Sequence, residues 1–85
     1  MSAGFDDNQL AQAEAALRTV TDLREEFGRR GAEATLCAAA AAAADNPALA
    51  AGYSAMIDAL GEAERAIGSL VREHEATVCR LGGTP

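Results

Sequence analysis

The sequence predicts an all-α fold, an antiparallel helical hairpin that associates into a four-helix bundle. Three observations predict it. Apolar residues recur at the helical period through almost the whole chain, one proline-marked break divides that pattern near its middle, and the large apolar side chains are too few and too unevenly placed for a self-sufficient core. At 85 residues there is room for one domain. The chain has 22 alanines, but only eighteen residues from the set Val, Ile, Leu, Met, Phe and Tyr. Alanine is the best helix former and has little apolar area to bury, so the chain is rich in helix and poor in core.

The first helix is expected over residues 7–44. Asp6, Asp7 and Asn8 offer N-caps and place negative charge at a helix start. Leu10, Ala13, Leu17, Val20, Phe27, Ala34, Ala38 and Ala41 then form a line on spacings of three and four that Arg24 and Gly31 interrupt, with Leu23 and Cys37 beside it. Gly28 and Gly31 weaken this segment, each costing about 1 kcal/mol relative to alanine. No turn cluster accompanies them, so a continuous or kinked helix is expected, the alternative being a corner at 28–31.

The turn falls at Asp45, Asn46 and Pro47. A residue preceding proline is pushed out of helical geometry, whereas proline suits the first position of a new helix behind an Asn cap. The second helix is expected over 47–81, followed by a short tail at 82–85 in which Gly82 and Gly83 close the helix. Leu49, Tyr53, Met56, Leu60, Ala63, Ile67, Leu70, His74, Thr77 and Leu81 follow spacings of four and three, and Ile57, Val71 and Val78 widen the stripe on one flank.

Two long helices joined by so short a turn lie antiparallel, pairing residues approximately as i and 92 − i. That register separates Cys37 and Cys79 by some 24 residues along the hairpin, about 36 Å, so they cannot bridge within one chain. Both are read as small, partly buried apolar residues, with pairing between chains the other reading. A stripe three residues wide facing an arm made largely of alanine leaves apolar area uncovered. Leu23, Leu36, Ile57, Leu60, Ile67, Val71 and Val78 are the expected partner interface.

Thirteen acidic residues against seven arginines give a net charge of −6, the wrong sign for a phosphate backbone, so no nucleic-acid partner is expected. There is no lysine, and the longest apolar run falls well short of the roughly 20 residues that span a bilayer, so no direct membrane insertion is expected. The first residues lack the charged and apolar regions of a signal peptide, so a cytoplasmic location is expected. No catalytic, cofactor or metal site is expected: His74 has Val71 three residues before it and Leu70 four before it, where a di-iron bundle needs Glu three before. His74 is read as an amphipathic residue at the edge of the stripe. The glutamates Glu62, Glu64, Glu73 and Glu75 are read as a solvated surface.

With two matched helices and the second-arm run Asn46-Pro47-Ala48-Leu49-Ala50-Ala51 leading through Tyr53, Met56, Leu60, Ile67 and Leu70, the chain resembles the small WXG-type helical hairpins of type VII (ESX) secretion, in their divergent actinobacterial forms. The resemblance implies a non-enzymatic protein without cofactor, a secretion substrate or its dimer partner, packing with itself or a second small hairpin. Asp45-Asn46-Pro47 stands where that family has Trp-Xaa-Gly. The family's Tyr-Xaa3-Asp/Glu export signal is absent, Tyr53 being followed by Asp58 at five residues rather than four. The resemblance therefore implies export by a signal-peptide-independent system with the signal on a partner chain. The alternative is a cytoplasmic adaptor, regulator or small chaperone built as a dimeric bundle.

Overall fold

The computed structural model describes residues 2–83, and side chains from residue 8 onward. Two helices, α1 (Ser2–Ala43) and α2 (Pro47–Arg80), fold into a hairpin 67 Å long and 14 Å across. The all-α hairpin expected from the periodicity is therefore the observed fold. The helix ends at the turn and at the C-terminal glycines lie within one residue of the expected positions, inside the ordinary fraying of helix termini.

The start of α1 differs. The helix runs from Ser2, so Asp6, Asp7 and Asn8 lie inside it and do not cap it. No proline precedes them, and adding a turn to an existing helix costs far less than nucleating one. Gly28 and Gly31 do not split the arm, which is helical throughout. Strong helix formers on both sides carry the hydrogen-bond ladder across them.

Both helices end in the same way. At the turn, the Asn46 N–H donates to the Ala41 carbonyl at 2.9 Å and the Asp45 N–H to that of Ala42 at 3.0 Å, with Asp45 in the left-handed region at φ 56°. At the far end, the Gly83 N–H donates to Val78 at 2.9 Å and the Gly82 N–H to Cys79 at 3.1 Å, with Gly82 at φ 93°. Each is a Schellman closure, which satisfies carbonyls the helix would otherwise leave unpaired. The next helix starts at once. Asn46 Oδ1 accepts from the Leu49 N–H at 3.2 Å, and Pro47 occupies the first turn of α2.

The antiparallel register is visible at three levels. A Cβ built on Gly28 would lie 3.7 Å from Glu64 Oε2, one on Gly68 would lie 3.9 Å from the Arg24 guanidinium carbon, and Gly83 sits against Leu10. These pairs sum to 92, 92 and 93, so one register holds from near the middle to the open end. Among the described residues, every side-chain hydrogen bond and the Arg30–Glu26 ion pair join residues within four positions on one helix or at its cap. The two arms are held by packing.

That packing is thin. Ala34 and Ala41 of α1 are buried against α2, whose buried residues are Ile67, Gly68, Val71 and Val78. Among the described residues, Val78 alone of the large side chains is wholly enclosed. The stripe on α2 is turned by one column from the periodic line. Tyr53, Leu60, Ile67, His74 and Leu81 do face α1, but Val71 and Val78 complete the covered side, while Leu49, Met56 and Leu70 are left exposed. The stripe is three columns wide and one opposing helix covers two of them.

Candidate functional site

The hairpin has two unlike faces on either side of the plane through its helices. On the first, Cys37 of α1 and Tyr53 of α2 are shared by two adjoining hollows. One, of about 310 Å³, is lined also by Arg30, Glu33, Ala34, Met56 and Leu60. The other, of about 270 Å³, is walled by Ala40, Ala41, Ala44 and Leu49. Together they make an apolar trough beside the turn, running over three helical turns of α2. Its depth comes from the alanine run, since methyl groups on α1 leave space beside the larger Leu49, Tyr53 and Met56.

The apolar seam continues away from the turn. Leu23 and Leu70 lie at one level of the register and Cys37 and Met56 at another. Each member of both pairs is exposed, Met56 by 48%. Arg30 and Ala63 separate these levels, with Arg30 engaged by Glu26 at 3.6 Å.

The expected interface residues divide three ways. Leu23 is exposed on the seam, and Leu60 is half-buried in the wall of the trough. Ile57 is half-buried on the opposite side, beside Asp58, Gly61, Glu62 and Arg65. Ile67, Val71 and Val78 are already covered by α1, so their apolar area is used within the chain. Leu36 is 72% exposed, two residues and about 200° around the helix from buried Ala34, which puts it on the outer side of α1. Leu49, Met56 and Leu70, which stand on the periodic line of α2 but outside the expected interface, carry exposed apolar surface. Their flanking column was the available signal, but periodicity does not say which flank a neighbour covers.

Cys37 and Cys79 are free thiols and both are exposed, which corrects the partly buried reading. Cys37 looks onto the trough, whereas Cys79 continues the column of Arg65 and Arg72 on the other face. His74 is half-buried at the edge of the covered stripe, as are Glu64 and Glu75, while Glu62 and Glu73 are exposed. Among the described residues, no group of three or more His, Cys, Asp or Glu side chains is placed to hold a metal ion, and no helix is long and apolar enough to cross a membrane.

The second face is polar. A groove of about 550 Å³ is lined by Arg24, Gly61, Glu64, Arg65, Gly68, Ser69 and Arg72. The two faces together define the chain as an amphipathic all-α hairpin. No family model matches the chain, and no curated protein or solved structure matches it either.

Proposed function

We propose that this chain is a non-enzymatic helix-packing protein whose apolar seam takes a second helical hairpin, its own copy in the simplest case, to form a four-helix bundle. One observation carries the reading: Leu23, Leu49, Met56 and Leu70 stay exposed along one face of a hairpin whose own core is thin. A hairpin partner matches the seam in length and in its 3.5-residue spacing, and it would fill the alanine-lined trough beside Tyr53. In this reading the protein is similar to the small hairpins of type VII secretion, a substrate or its dimer partner, with a cytoplasmic stage before export. The hairpin fold supports that likeness.

The test is association state. Sedimentation at micromolar concentration is expected to give a dimer for the parent chain, and a monomer for Met56→Glu, which puts a charge in the trough. A parent chain that stays a folded monomer alone, and also when coexpressed with the products of neighbouring genes, overturns the proposal. Copurification with one such product assigns the partner.

A further inference from the structure

The polar groove concentrates positive charge in an acidic protein. Three of the seven arginines line it, with Glu64 as the one carboxylate, so the groove carries a net +2 within a chain of net −6. With acidic residues outnumbering arginines almost two to one, each of these guanidiniums could have been neutralised locally. Among the described residues Arg24, Arg65 and Arg72 have no carboxylate at ion-pair distance, Arg65 alone of the three also bordering the hollow that holds Asp58 and Glu62, and the Glu64 carboxylate lies toward Gly28. Like charges gathered in this way repel one another unless an anion joins them.

Their placement is directed as well as dense. Arg24 comes from α1 and Arg72 from α2, and the two converge over Gly68. The position that a Cβ on Gly68 would take is 3.9 Å from Arg24 Nη2 and 3.9 Å from Arg72 Nη1, so the two nitrogens are at most about 7.8 Å apart. Two oxygens of one tetrahedral group, each accepting a charge-assisted hydrogen bond of about 2.8 Å, span up to about 8 Å. Arg72 Nη2 donates to Ser69 Oγ at 3.2 Å, which steadies that guanidinium and brings a hydroxyl to the rim. Gly68 supplies the open floor, and Arg65, one heptad before Arg72, adds charge at the groove's far end.

We propose that this groove is an oxyanion site for a phosphate group, with Arg24 and Arg72 clamping the group over Gly68 and Arg65 contributing long-range attraction. The doubled charge of phosphate matches the groove's +2. Guanidinium is also the side chain that best meets paired oxygens. The group is either free phosphate or a phosphomonoester carried by a partner. Bound, it would tie α1 to α2 by polar contacts that the packed arms otherwise lack. The site lies on the face opposite the seam and does not depend on the proposed association, so either can fail alone.

The test is an NMR titration of the arginine Nε–H signals with inorganic phosphate, O-phosphoserine and, at matched ionic strength, sodium chloride. Saturable shifts of the Arg24 and Arg72 signals are expected with phosphate and not with chloride. Binding of O-phosphoserine as well assigns a phosphomonoester, and binding of inorganic phosphate alone assigns the free ion. Arg24→Gln and Arg72→Gln should each weaken binding about tenfold, the loss of one charge-assisted contact. Gly68→Leu keeps every charge and fills the floor, and should abolish binding with helicity retained. Arg18→Gln, away from the groove, should change nothing. Equal shifts with chloride and phosphate, or an Arg18→Gln effect as large as that of Arg72→Gln, overturn the proposal.

Discussion

Glu64 of α2 lies opposite Gly28 of α1, its carboxylate oxygen 3.7 Å from where a Cβ on that glycine would stand. That distance is ordinary contact, so the missing side chain is not required for the arms to approach. At Gly31, one turn further along α1, a Cβ would meet nothing within 4 Å. Both glycines therefore retain their full helix-interior cost without relieving any clash. Gly31→Ala is expected to stabilise the hairpin by about 0.5–1 kcal/mol, and Gly28→Ala by a similar amount. For a domain of this size that raises Tm by several degrees in a thermal melt. A fall in Tm for Gly31→Ala would mean that α1 needs the bend glycine permits.

The two C-terminal glycines are held for different reasons. Gly82 has φ 93°, a conformation that costs an L-residue roughly 1–2 kcal/mol, but a Cβ there would meet open space. A Cβ on Gly83 would fall 2.7 Å from Leu10 Cδ1 and 2.8 Å from Cγ1 of the enclosed Val78. Gly82→Ala should thus lower stability by a local backbone term alone. Gly83→Ala should instead loosen the open end of the hairpin, read as faster amide hydrogen exchange at Val78 and Leu81. Equal exchange in the two variants would show that Leu10 yields without loss.

Much of the fold was legible because its signals are local. Asn46-Pro47 and Gly82-Gly83 act through their own backbones, and a short turn leaves an antiparallel register as the simplest course for two long arms. The covered flank of α2 was not legible. Val78 and Met56 sit on opposite edges of one apolar stripe, and the choice between them depends on how α1 rolls against it. The arginine groove was hidden for a related reason. Arg24 and Arg72 lie 48 positions apart, and only the register brings them to Gly68. The start of α1 was misplaced because Asp6 to Asn8 are good caps that no helix break accompanies.

The roll of α1 makes its own prediction. Val78 is 0% exposed, so Val78→Ala removes methyl groups from a fully enclosed side chain and should cost about 2 kcal/mol in chemical unfolding. Met56→Ala changes a half-open position on the seam. It should leave the arms paired and the helical signal unchanged, while weakening dimer formation by tenfold or more. A variant pair with the opposite pattern, Met56→Ala unfolding the chain and Val78→Ala weakening only association, would place the seam on the other flank.

The two thiols report which face meets a partner. Both are exposed in the single hairpin, so at low concentration a thiol reagent should modify Cys37 and Cys79 at comparable rates. Association through the trough covers Cys37, which shares walls with Tyr53 and Met56, and leaves Cys79 on the arginine side. As concentration rises through the dimerisation range, the Cys37 rate should fall roughly in proportion to the remaining monomer, with Cys79 unchanged. Labelling followed by peptide mass analysis separates the two. In Met56→Glu both thiols should stay fast at every concentration, because the trough then carries a charge that no apolar partner offsets. Protection of Cys79 alone would move the interface to the polar face and put the partner over Arg65 and Arg72.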